Sequence, residues 1–198
     1  MKNKCRDRVG ISLLILFMGV TMLAGCGKKY IPKPYGYMRI EVPDTCYHLL
    51  NVDSLPYNFD KSCHATAVPA IADAGEKNWI NLTYPTLNAT IHCSYKPLKN
   101  NLRELSEEAR QFVYNHAIKA EAIPEKAYEN PEQEVYGIYY ELKGNTASSL
   151  QFVLTDSTNH FFRAALYFNS RPNQDSIAPV FDYIQGDVLR MIETFRWK

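Results

Sequence analysis

The sequence predicts an α+β domain over residues 35–198, an antiparallel sheet covered by helices. Three observations predict it. Residues 135–169 hold three runs of apolar alternation separated by two short polar turns, 143–146 and 156–159. Connections that short join only antiparallel neighbours. A second alternating pair flanks the turn Pro85-Thr86-Leu87-Asn88, which makes a hairpin. Two further stretches, one from Leu102 and one ending near Phe195, repeat their apolar residues at helical spacing.

In chain order, Lys2, Lys4, Arg6 and Arg8 precede an apolar run over residues 9–22, and Leu23-Ala24-Gly25-Cys26 follows. A basic start, an apolar middle and a small-residue cleavage site make an export signal. The apolar run is shorter than the roughly 20 residues a membrane-crossing helix needs. A cysteine directly after Leu-Ala-Gly makes it a bacterial lipoprotein signal. Residues 1–25 are then removed, and Cys26 becomes the acylated N-terminus, held in membrane lipid by acyl chains such as palmitate. Each buried CH₂ contributes about 0.8 kcal/mol, so two or three chains anchor stably where one is marginal. Residues 26–34, with Pro32, Pro34, Lys28 and Lys29, read as an extended tether.

Residues 35–42 alternate as a first strand and stop at Pro43-Asp44. Residues 47–50 and 56–59 read as short strands or turns, and 63–77 as a loop without periodicity. The hairpin pairs Ile80, Leu82 and Tyr84 with Ile91, Cys93 and Tyr95. Asn100 or Asn101 then caps a helix, with Glu104 as capping partner. Its apolar stripe is Leu102, Leu105, Ala109, Phe112, Val113 and His116. After the three-strand run, a last helix covers 175–195, with Pro179 in its first turn and Ile184, Val188, Met191 and Ile192 in its stripe. Strands, helix, three strands, helix, closing on Glu193-Thr194-Phe195-Arg196-Trp197, resembles the PsbP/Mog1-like lipoprotein fold. A fold analogy carries no function by itself.

Of 198 residues, removal of 1–25 leaves 173, enough for one domain with a proper core. The mature part carries 18 basic and 20 acidic residues, a net charge of −2. A nucleic-acid binder shows a basic stripe, and none is present, so nucleic acid is not an expected partner. Beyond Cys5 in the signal and Cys26, the chain keeps Cys46, Cys63 and Cys93. Outside the cytoplasm two of these three can pair and leave one free. Each lies near a histidine, but none at zinc-ligand spacing, so no metal is expected. No nucleophile elbow, metalloprotease helix, Cys-x-x-Cys or phosphate loop occurs. No cofactor or catalytic residue is therefore assigned. A thiol enzyme built on a Cys93/His116 nucleophile pair is the enzymatic alternative.

Two other patterns mark candidate sites. Lys143, Gly144, Asn145, Thr146, Ala147, Ser148 and Ser149 form the most polar small-residue run, a candidate contact loop. Ser54, Ser157 and Ser176 each follow an aspartate and precede an apolar residue or threonine. That pattern resembles the acceptor motif of periplasmic O-glycosylation in Bacteroidetes, although Asp-Ser also starts turns and helices.

Several segments together resemble one family. They include residues 79–82, Tyr95-Lys96-Pro97, Tyr136-Gly137, the 143–149 run, Leu166-Tyr167-Phe168-Asn169 and Ile192-Glu193-Thr194-Phe195-Arg196-Trp197-Lys198. These resemble the GldD gliding-motility lipoproteins of Bacteroidetes from about Tyr30 onward. Residues 44–78 are the least family-like. The resemblance implies a membrane-anchored, non-enzymatic component needed for gliding motility and type IX protein secretion, with a GldE-like membrane protein as partner. The residues after Cys26 lack the acids that favour surface export, so the domain is expected to face the periplasm. The alternative is a small-ligand-binding periplasmic lipoprotein with a pocket between sheet and helices.

Overall fold

The computed structural model describes residues 40–70, 77–115, 117–170 and 173–198. Cys26, the tether and His116 lie outside them. The described residues form one compact unit. Its strands are β1 (Tyr47–Leu49), β2 (Tyr57–Asn58), β3 (Asp60–Ser62), β4 (Thr66–Pro69), β5 (Ile80–Tyr84) and β6 (Ala89–Pro97). They are followed by helix α1 (Leu102–Tyr114), then β7 (Ala120–Ala122), β8 (Glu125–Asn130), β9 (Val135–Glu141), β10 (Lys143–Gly144), β11 (Ser148–Thr155) and β12 (His160–Phe168). Helix α2 (Gln174–Glu193) and the short β13 (Arg196–Trp197) close the chain.

Seven strands form the main sheet in the order β4-β5-β6-β12-β11-β9-β8, and every pairing is antiparallel. The expected hairpin is β5–β6, and the expected three-strand run is β9, β11 and β12 side by side. The α+β class, an antiparallel sheet with helices on it, is the observed architecture.

Alternation sorts the side chains onto two faces. On one face Leu82, Ile91, Leu166, Leu150, Phe152 and Phe162 are buried in the main core, against Ile184, Val188, Met191 and Ile192 of α2. The segment between β1 and β3 adds Leu50, Leu55, Tyr57 and Phe59 to that core, each no more than 4% exposed. On the other face α1 lays Leu105 and Ala109 over Phe161, and Val113 over Tyr140 and Leu142. The sheet is thus covered by α2 on one side and partly by α1 on the other.

Several expectations are corrected. Of the expected first strand, residues 35–39 lie outside the described residues, and Ile40 and Val42 are exposed and lie in no strand, with no described strand paired to them. The 63–77 stretch contains β4, an edge strand paired with β5 through Thr66 to Pro69. Asn101 is the N-cap of α1, but its Oδ1 accepts from Lys99 N at 2.8 Å instead of closing a capping box. Phe112 belongs to the helical stripe yet is 42% exposed, because its ring stands against the Arg163 guanidinium and joins no apolar cluster. Helix α2 is capped by Asn173, whose Oδ1 accepts from Ser176 N, so the helix begins one residue before the expected start and Pro179 falls inside it, beyond the first turn.

The closing residues act as a clamp. Thr194 Oγ1 accepts from Asp60 N at 2.9 Å and donates to Arg190 O at 2.8 Å. Phe195 is buried, Arg196 donates to Gln133 Oε1, and Trp197 Nε1 donates to Glu134 O. Trp197 also stacks on His160, with ring centroids 4.9 Å apart.

Candidate functional site

The half of the second face that α1 leaves uncovered is a groove of about 780 Å³. Its outward-pointing strand positions come from adjacent strands in register: Asn81 opposite His92 on β5–β6, and Ser94 opposite Arg163 on β6–β12. Trp79 and Val68 line one side, and Phe112, Leu105 and Phe161 line the other. The cavity falls within the size range of small-molecule sites.

Arg163 is the groove's half-buried cation. Its Nη2 donates to Gln151 Oε1 at 2.6 Å, and its guanidinium lies 4.7 Å from the Phe112 ring centroid. No carboxylate lies within ion-pair distance of it among the described residues. Burial lowers its pKa below the ordinary arginine value, opposed by Tyr167 and Glu108. The guanidinium still stays charged at any physiological pH. Gln151 is 1% exposed, and its Nε2 has no hydrogen-bond partner among the described residues. Glu108, the groove's acid, is paired with Lys96 at 3.3 Å. His92 Nδ1 donates to Asn81 Oδ1 at 2.8 Å, which leaves Nε2 as the ring's lone-pair nitrogen. Partial burial and then the Arg163 charge lower the His92 pKa, so the ring is neutral at neutral pH. The ionised groove side chains are therefore two cations and one acid.

The sequence-predicted residues are placed as follows. Within the candidate contact loop Gly144, Thr146, Ser148 and Ser149 are buried. Thr146 Oγ1 donates to the carbonyls of Leu142 and Ser148, and Ser148 Oγ to that of Leu150. Gly144 has φ +105°, and a Cβ there would meet Lys119 O at 2.9 Å, so only glycine fits. Lys143, Asn145 and Ala147 are the residues of the run that reach the surface. The small polar side chains turn inward to backbone carbonyls and are not displayed to a partner. Ser54, Ser157 and Ser176 are all exposed, the first two in turns and the third in the first turn of α2. Cys46 and Cys63 form a disulfide, and Cys93 is free and buried. Cys93 faces the main core and His92 the groove. Burial pushes the Cys93 thiol far above its ordinary pKa, so it is protonated and unsuited to nucleophilic attack. Among the described residues no group of three or more His, Cys, Asp or Glu side chains could hold a metal ion. No described helix is long and apolar enough to cross a membrane.

Beneath the disulfide-linked segment, Asp187 of α2 is 3% exposed and accepts from Tyr84 OH at 3.0 Å. Burial raises its pKa above the usual carboxylate value, while the hydroxyls of Tyr47, Tyr84 and Ser62 and the charge of His64 act against that. A carboxyl whose folded pKa is raised contributes its full stability below its unfolded pKa and loses it as pH rises through the folded value. Asp187→Asn is therefore expected to melt above the parent at pH 7–8, with the gap closing towards pH 4. Thermal melts across that range check it. A variant less stable at neutral pH would mean that the hydroxyl bonds to the carboxylate outweigh its burial.

These features define an α+β scaffold with one fully covered sheet face and one half-open, net cationic face. The comparisons place it more closely. The family model described as gliding motility lipoprotein GldD matches residues 27–197, and the chain belongs to that family. Among solved structures it is similar to the solution structure of cyanobacterial PsbP (CyanoP) from Synechocystis sp. PCC 6803. That similarity has 13% identity and a TM-score of 0.46, and covers 81% of this chain and 98% of that one. No curated protein matches the sequence.

The sequence suggested a pocket between sheet and helices but not its lining. Arg163 lies on β12, and the residues that give it its setting come from β6, β11 and α1. An arginine between Phe162 and Ala164 in a mostly apolar strand was the available signal.

Proposed function

We propose that this lipoprotein is a non-enzymatic component of the gliding and type IX secretion machinery. Cys26 holds it by acyl chains in an envelope membrane, its domain faces the periplasm, and it assembles or stabilises neighbouring membrane proteins, a GldE-like protein among them. Membership of the gliding-motility lipoprotein family carries this reading. The Cys46–Cys63 disulfide supports a location outside the reducing cytoplasm. Exposed Lys143 and Asn145 are candidate contact residues for the partner.

Cys26→Ala is expected to incorporate no labelled palmitate and to leave a soluble or mislocalised precursor. Labelling and membrane fractionation like the parent's would overturn the anchor. Crosslinking and affinity recovery of the tagged lipoprotein from native membranes tests the rest. Recovery of motility or secretion membrane proteins supports the machine role, and recovery of the lipoprotein alone counts against it.

A second reading, binding of a small ligand, is favoured by the groove between α1 and the sheet. The space between the sheet and α2 is filled by Phe162, Phe195, Ile184 and Val188, so the large pocket between sheet and helices lies on the α1 side.

A further inference from the structure

We infer that the groove between α1 and strands β4–β6 holds a small organic anion, its carboxylate or phosphate head on Arg163 and its apolar body along Trp79, Phe112 and Phe161. The inference rests on the ligand-binding reading above and names its ligand class.

Four observations carry it. The cavity of about 780 Å³ is lined by aromatic and aliphatic side chains with a few polar groups, the usual make-up of a small-molecule site. Arg163 lines it half-buried and without an ion-paired carboxylate among the described residues. A charge in that setting is costly unless a counter-charge arrives. Glu108, the acid nearest in effect, is already engaged by Lys96 at 3.3 Å, so the groove keeps a surplus positive charge at Arg163. The guanidinium is also held in place: Gln151, 1% exposed, accepts from it at 2.6 Å, and the Phe112 ring lies 4.7 Å away. One of its five donors is spent on Gln151, and the planar fork matches a carboxylate or phosphate. His92, held by Asn81 at 2.8 Å, adds a polar wall.

A neutral ligand of the same shape would leave the arginine uncompensated. Discrimination between an acid and its isosteric amide is thus the signature of the site. A lipid acid and a phosphorylated metabolite or headgroup share this chemistry.

The test uses the full lipoprotein in zwitterionic nanodiscs, with empty nanodiscs as control. The probes are 2-naphthoate, 2-naphthamide and 2-naphthyl phosphate, and binding is followed by the His92 ring signals in NMR. Naphthoate is expected to shift those signals and to bind roughly tenfold or more tighter than the amide. Arg163→Gln is expected to abolish that preference, and Phe112→Ala to weaken acid and amide together. Phe112 is 42% exposed, so its truncation opens no core, and melting curves check both variants. If Arg163→Gln does not fold, the acid-to-amide ratio of the parent decides alone. Tighter binding of the phosphate than of naphthoate supports the inference and assigns the head as phosphate; the reverse order assigns a carboxylate. Equal binding of acid and amide overturns the anion while leaving a ligand groove. No shift of His92 with any probe at millimolar concentration overturns the ligand groove itself.

Discussion

Phe195→Ala is expected to cost about 4 kcal/mol, within the range for removing a buried aromatic ring, and to lower the melting temperature by about 10 °C. Phe195 is 1% exposed and sits where three chain segments meet. Its ring centroid lies 5.9 Å from those of Tyr57 and Phe59, 5.0 Å from Phe162 and 4.7 Å from Trp197. Tyr57 and Phe59 belong to the irregular segment before the sheet, Phe162 to the central strand β12, and Trp197 to the closing clamp. Truncation therefore removes apolar area and also uncouples β2 from β13, the pair that fixes the C-terminus. Arg196 points outward, and Arg196→Ala should change stability by no more than about 0.5 kcal/mol. Urea titration of both variants checks this. A Phe195→Ala loss below about 1 kcal/mol would mean that the surrounding rings collapse into the space.

The same cluster shows how far the sequence could be read. The β5–β6 hairpin and the β9, β11, β12 run were legible because one face of each strand is apolar and the turns between them are short and polar. Strand β8 was not: Glu125, Lys126 and Glu129 are exposed on an outer edge, so the strand has no apolar face to alternate. Strand β4 is four residues long and ends on Pro69, which reads as a turn but is tolerated at an edge. Residues 44–78, the least family-like stretch, supply Leu50, Leu55, Tyr57 and Phe59 to the core. Their spacing follows no period because the segment crosses the core instead of running within the sheet. The 143–149 run looked like a surface for a partner because its residues are small and polar. Those side chains bond inward to carbonyls, a use that composition does not distinguish from display. The cationic groove was illegible for a related reason, since its charge balance exists only once Arg163, Gln151, Phe112 and the Lys96–Glu108 pair are brought together.

Removing the disulfide by Cys46→Ser with Cys63→Ser is expected to cost about 3 kcal/mol, the chain-entropy value for a loop of this length. The two cysteines are 17 residues apart with Cα atoms 5.4 Å apart, and the loop between them carries the four core residues just named. Their burial depends on a segment that β1–β3 pairing holds by only three residue pairs. The crosslink thus limits the unfolded freedom of the part of the core with the least secondary structure. Reduction of the parent should lower its stability by the same amount as the double substitution, and the reductant should have no effect on the double variant. Cys93, buried and protonated, should resist alkylation in both until they unfold. Equal denaturation midpoints for oxidised and reduced parent would sink the argument. The proposed export gives this a further test. A copy made without residues 1–25 and kept in a reducing compartment is expected to hold Cys46 and Cys63 as thiols and to be the less stable by the same margin. Equal stability of that copy and the oxidised parent would count against the bridge as the support of this part of the core.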